Sequence, residues 1–164
     1  FERSLYSPDD REWQDGRPNQ PHETGKPSTW CYGAAGVALS RVLSIQRRGD
    51  AQLEIDTEIA VKAVMRRGFG GSQCLCHGSL GNLEVVLLAA ELMKRDEWRD
   101  LARDAVGRTC RSVMNRDWTC GVVGRVESPG FMTGLSGIGY SLLRMANSDH
   151  TSSPLWLSLP QSVD

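Results

Sequence analysis

The stretch Cys74-Leu75-Cys76-His77-Gly78-Ser79-Leu80-Gly81-Asn82 decides how this chain is read, because its Gly-x-x-Gly core recurs on either side. Gly33-Ala34-Ala35-Gly36 precedes it and Gly134-Leu135-Ser136-Gly137 follows, each ahead of an apolar run. The intervals leave room for one helix hairpin and a loop of variable length, the mark of a repeat built of paired helices. Glycine at these places would let two backbones approach closely, or would supply positive φ in a tight turn.

Working outward from the turns, the apolar spacing predicts helices over 34–48, 56–67, 79–94, 96–116 and 135–146. Ala38, Leu39, Val42, Leu43 and Ile45 give the first a single apolar face. Ile59, Ala60, Ala63 and Val64 do so for the second, with Gly68 as its stop. The segments 79–94 and 135–146 are apolar nearly all round, with Glu84 and Glu91 the charges in the first of them before its end. The segment 96–116 instead carries a stripe of Trp98, Leu101, Ala102, Ala105, Val106, Cys110 and Val113 among arginines and acids. A helix apolar on all sides is buried on all sides, and a striped one keeps a solvated face. The expected class is therefore all-α, with inner helices led by glycine turns and outer helices carrying charge. Asp96, Asp100 and Asp104 alternate with Arg99 and Arg103 at spacings that suit surface ion pairs.

Residues 1–28 lack this periodicity. Pro8, Gly16, Pro18, Pro21, Gly25 and Pro27 crowd them, so they read as a loop or connector in which Leu5, Tyr6 and Trp13 are docking points. The helical unit then occupies 29–164. With 40% apolar and 24% charged residues the chain is of globular type. Its 19 basic and 20 acidic residues leave a net charge of −1, which gives no electrostatic case for nucleic acid or an anionic membrane surface. No apolar run approaches the roughly 20 residues of a transmembrane helix, and no basic-then-apolar leader opens the sequence, so a reducing, cytoplasmic setting is expected.

In such a setting clustered cysteine and histidine point to metal more than to disulfides. Aligning the glycines puts Cys31 and Cys76 at equivalent places, two residues before Gly33 and Gly78, with His77 beside the second thiol. Two thiolates and an imidazole form a three-ligand set for tetrahedral zinc, with one place open. Taken singly, Cys31 reads as a packed core thiol and His77 as a capping or surface histidine, and it is their correspondence across repeats that favours metal. Cys74 is either a fourth ligand or a neighbour. Cys110 falls on an apolar stripe and reads as core, while Cys120 has no evident role.

Three blocks carry a resemblance: Trp30-Cys31-Tyr32-Gly33-Ala34-Ala35-Gly36, Cys76-His77-Gly78-Ser79-Leu80-Gly81-Asn82, and Met132-Thr133-Gly134-Leu135-Ser136-Gly137-Ile138-Gly139-Tyr140. In order and interval they resemble the signature blocks of the lanthionine synthetase C-like family. The chain is most similar to the C-terminal cyclase domain of its class II, LanM-type synthetases. The resemblance implies an α/α toroid, here a partial one, with Zn2+ held by Cys31, Cys76 and His77. It implies a dehydrated precursor peptide as substrate, whose cysteines add to dehydroalanine or dehydrobutyrine. It also makes Trp30 and Tyr32, beside the first thiol, candidates to line the substrate pocket. The acid/base residues of the family would lie upstream of Phe1, in a missing N-terminal part of the synthetase. His22, in a proline-rich stretch close to Cys31, is not assigned that duty. The alternative function is a non-catalytic relative that binds zinc and a thiol such as glutathione, or a degenerate fragment.

Overall fold

The computed structural model describes residues 1–16, 28–115, 118–147 and 150–156. Five helices dominate them: α1 (Ala34–Arg48), α2 (Ala51–Arg67), α3 (Ser79–Leu92), α4 (Asp96–Met114) and α5 (Leu135–Ala146). The first and last agree with the spacing read from sequence. The second begins earlier than its apolar residues suggest, because the Asp50 carboxylate accepts from Gln52 N at 2.8 Å and caps a fresh helix. Gly49, left-handed at φ 57°, ends α1 and returns its amide to Ile45 O. Gly49-Asp50 is therefore the whole link of an antiparallel hairpin. The third helix stops at Leu92, short of the expected Lys94, which takes φ 54° in the link to α4.

The helices fall into two layers. The turn-led helices α1, α3 and α5 stand side by side, with α2 packed behind α1 and α4 behind α3. This is the curved, double-layered array of an all-α toroid, present as an arc. Helix α3 is its centre, with Leu80, Leu83, Val85, Val86, Leu88, Ala89 and Ala90 all buried. Glu84 is buried with them, and Arg144 Nε of α5 meets its carboxylate at 3.3 Å.

The outer helix α4 buries Trp98, Ala102 and Ala105 and carries the ion pairs Asp96–Arg99 (2.7 Å) and Asp100–Arg103 (3.5 Å) on its solvated side. Two expectations for it are corrected. Leu101 is exposed, and Cys110 is only half-buried, because the stripe in contact with α3 is narrower than the apolar pattern. Helix α5 departs further: Gly137, Ile138 and Ser141 are buried, but Leu143 is 57% exposed. Its apolar outer face has no helix against it among the described residues.

The second glycine of each turn answers a question that the sequence left open. A Cβ on Gly36, Gly81 or Gly137 would overlap the carbonyl oxygen of Trp30, Leu75 or Phe131 respectively. Close backbone approach is thus the shared requirement. Positive φ occurs at Gly33 (120°) but not at Gly78 or Gly134.

Residues 1–16 hold a 3-10 turn (Glu2–Leu5) and a minimal antiparallel pair, β1 (Tyr6–Ser7) with β2 (Glu12–Trp13). Trp13 is buried, and Leu5 and Tyr6 pack against the core. The segment is fastened by Arg3 to Asp56 (3.0 Å) and Glu2 to Arg41 (2.7 Å). Burial pushes the Asp56 carboxyl up, but Gln52, Arg3 and Arg41 outweigh it and hold the group below its ordinary value. No helix among the described residues is long and apolar enough to cross a membrane.

Candidate metal centre

The three glycine turns meet at one end of the helical array. Cys31 N donates to Cys76 O at 3.3 Å, and Cys76 N donates to Met132 O at 2.9 Å. These are the equivalent residues of successive turns, so the correspondence seen in sequence is a stair of backbone hydrogen bonds in space. Its consequence is chemical: the thiols of turns one and two, and the imidazole beside the second, face one another. The donor atoms of Cys31, Cys76 and His77 all lie within 4.8 Å of each other. A tetrahedral zinc with bonds of about 2.0–2.3 Å sets its ligand atoms roughly 3.3–3.8 Å apart, so side-chain adjustment alone suffices to close the set on an ion.

The local architecture fixes each donor. Asn82, buried in the first turns of α3, donates from Nδ2 to Ser28 O (2.5 Å) and Gly68 O (2.7 Å). It clamps the strand entering turn one against the helix leaving turn two. Ser28 in turn caps α1, its Oγ accepting from Ala34 N at 3.1 Å. Thr29 braces the same turn by donating to Tyr32 O at 2.6 Å, and its hydroxyl lies 3.8 Å from Cys31 Sγ. Cys31 itself is exposed, which contradicts its reading as a core thiol. Cys76 and His77 are half-buried, as are Trp30 and Tyr32, which flank Cys31.

The electrostatics suit a cation. Burial, then the hydrogen bond and charge of Cys31, then the charge of Cys74, pushes the Cys76 thiol up to about 12. Without a cation, that thiol keeps its proton. A divalent cation reverses that preference, because it stabilises thiolates directly. Two sulfurs and an imidazole are also a donor set that zinc favours. The residues present therefore fit the ion.

The other candidates separate cleanly. Cys74 stands outside the three-donor cluster; it is buried, with Sγ 3.2 Å from Ser72 Oγ. Cys120 is buried, with Sγ 4.0 Å from Ser128 O. His150 is exposed, and His22 lies outside the described residues. The sequence reading missed Ser28 and Thr29, and it quoted Asn82 without giving it work. A polar residue one position after a Gly-x-x-Gly helix start was the available signal for Asn82. Gly121, in the loop between α4 and α5, gave no signal at all, yet it lies against Cys74 and His77.

Comparison with known proteins bears on the family of the chain. The Lacticin 481/lactococcin biosynthesis protein LcnDR2 of Lactococcus lactis subsp. lactis is 30% identical over 146 residues. The match covers 82% of this chain and 16% of that relative, so the chain spans about a sixth of the relative's length. The family model described as Lanthionine synthetase C-like protein matches residues 1–159, and by that measure this chain belongs to the lanthionine synthetase C-like family.

Proposed function

We propose that this chain is the zinc-bearing part of a LanM-type lanthipeptide cyclase. In the proposed reaction a cysteine of a dehydrated precursor peptide adds to dehydroalanine or dehydrobutyrine and closes a (methyl)lanthionine ring. The observation that carries this reading is the meeting of Cys31, Cys76 and His77 within 4.8 Å at one end of the helical array. Family membership and a relative named as a lacticin 481/lactococcin biosynthesis protein support it.

Cys31 and Cys76 as thiolates and His77 as neutral imidazole would hold the ion. Bound there, zinc supplies the positive charge that favours the thiolate of a substrate cysteine near neutral pH. The chain's own residues would position the reactants. Exposure of Cys31 keeps one side of the set open to a peptide. Trp30 and Tyr32 border that side and would orient the incoming segment. Asn82 and Thr29 hold the first thiol in place while the peptide binds. In the addition the substrate sulfur gives up its proton, a carbon–sulfur bond forms at the β-carbon, and the α-carbon takes a proton. The donor of that proton belongs to the upstream part of the synthetase in this reading. The setting is the cytoplasm, where the thiols stay reduced.

Ring closure leaves the mass unchanged, so the test counts thiols. The purified full-length protein is incubated with a dehydrated peptide, and residual thiols are alkylated and weighed. About one zinc per chain and loss of alkylatable thiols are expected; Cys31→Ala, Cys76→Ala and His77→Ala each weaken zinc binding and abolish the loss of thiols. Variants that keep zinc and close rings at the original rate would overturn the site. Zinc uptake with glutathione binding, but with the peptide thiols left free, would establish the non-cyclising alternative.

A further inference from the structure

Resting on the zinc reading above, we propose that Gly121 is a positioning residue for His77: the lack of a side chain at 121 is what seats the imidazole beside the two thiols. A Cβ at this position would lie 2.6 Å from His77 Nε2 and 2.9 Å from its Cε1, and closer still to Cys74 Sγ. Carbon atoms do not approach ring atoms so closely, so either the loop or the ring must yield.

The loop is the firmer of the two. Gly121 N donates to Thr133 O at 2.7 Å, which ties it to turn three. Two residues earlier, Thr119 O accepts from Gln73 N at 2.9 Å, and Thr119 N donates to Gln73 Oε1, which ties the loop to turn two. Cys120 between them is buried. The segment is thus pinned on both flanks by backbone bonds, whereas a half-buried histidine needs only a rotamer change to move. A methyl group at 121 therefore displaces the ring away from Cys31 and Cys76. Cys74 meets the same methyl group, but it is not among the three clustered donors, which allows the two effects to be separated.

The test measures metal on the purified full-length protein, without recourse to activity. Gly121→Ala, Cys74→Ala, the Cys74→Ala/Gly121→Ala double variant and His77→Ala are titrated with zinc against a chromophoric chelator. Cobalt(II) spectra of each report tetrahedral coordination and the thiolate bands. Cys74→Ala keeps the wild-type affinity and cobalt spectrum. The double variant, freed of the clash with sulfur, has a metal-free melting temperature close to that of Cys74→Ala. It nevertheless binds zinc about 10–100-fold more weakly, the range for residues that orient a ligand. Its cobalt spectrum resembles that of His77→Ala, with the thiolate bands kept and the tetrahedral bands weakened. A double variant that binds zinc as tightly as Cys74→Ala, while His77→Ala binds weakly, overturns the role of Gly121 and leaves the zinc site standing. If His77→Ala itself binds as tightly as wild type, the zinc reading is what fails.

Discussion

The turns that open α3 and α5 are built on one plan and carry different chemistry. In each, the amide of the first helical residue donates to a serine carbonyl, Ser79 N to Ser72 O at 3.0 Å and Leu135 N to Ser128 O at 2.7 Å. In each, the second glycine admits a carbonyl oxygen against the helix start. Yet the places held by Cys76 and His77 in one turn are held by Met132 and Thr133 in the other. The helices diverge as well, since α3 is enclosed along its length and α5 leaves Leu143 in solvent. The scaffold of a turn and its chemistry are thus separable. Glycine spacing builds the turn, and the side chains ahead of it decide whether it offers donor atoms that could hold a metal.

The sharpest way to break the comparison is to remove the chemistry from one turn and the corresponding residue from the other. Cys76→Ala should lower zinc affinity by more than the roughly 10–100-fold seen for outer-shell changes, with Met132→Ala near wild type in the same chelator competition. An equal loss in Met132→Ala would make turn three part of the site.

The scaffold itself is tested by Gly81→Ala and Gly137→Ala, each of which forces a Cβ onto a backbone oxygen. Urea unfolding should show a loss of about 3 kcal/mol or more for both, larger for Gly81→Ala because more of α3 is buried than of α5. Near-neutral substitutions would mean that close approach is not what the repeated glycines serve.

Next comes the stitch between the two helices. Arg144→Met leaves the Glu84 carboxylate buried without its cation and should destabilise by about 3 kcal/mol at neutral pH. The smallest effect belongs to the bare face of α5. Leu143→Ala, at 57% exposure, should change the unfolding free energy by no more than about 0.5 kcal/mol. A larger loss would show that something covers this face in solution.

Much of this was legible in the chain. Helices over 34–48 and 135–146 followed from apolar spacing with a glycine before the start, signals that act within a turn or two of helix. The start of α2 lies ahead of its apolar spacing because the Asp50 carboxylate, and not an apolar residue, opens the helix. Cys110 looked like core by its position on a stripe, but how wide a stripe is covered depends on the partner helix. Likewise Cys31, Cys76 and His77 could be paired by counting back from glycines, whereas Asn82, Ser28 and Gly121 could not be given roles. The residues they meet are mostly far away in sequence, so even where a local pattern marks the position, as it does for Asn82, that pattern does not say what the side chain will touch.

By itself, then, the sequence determined the repeat: three glycine turns, the helices they start, and a thiol at equivalent places in two of them. These are local properties, set by 3.6-residue periodicity and by steric limits at individual residues. The tertiary structure alone decided that the turns meet in a stair of backbone bonds, that Leu143 of α5 is left exposed among the described residues, and that a pinned loop brings Gly121 against His77. Contacts of that kind depend on how whole helices pack, and their energy appears only when residues distant in the chain arrive together.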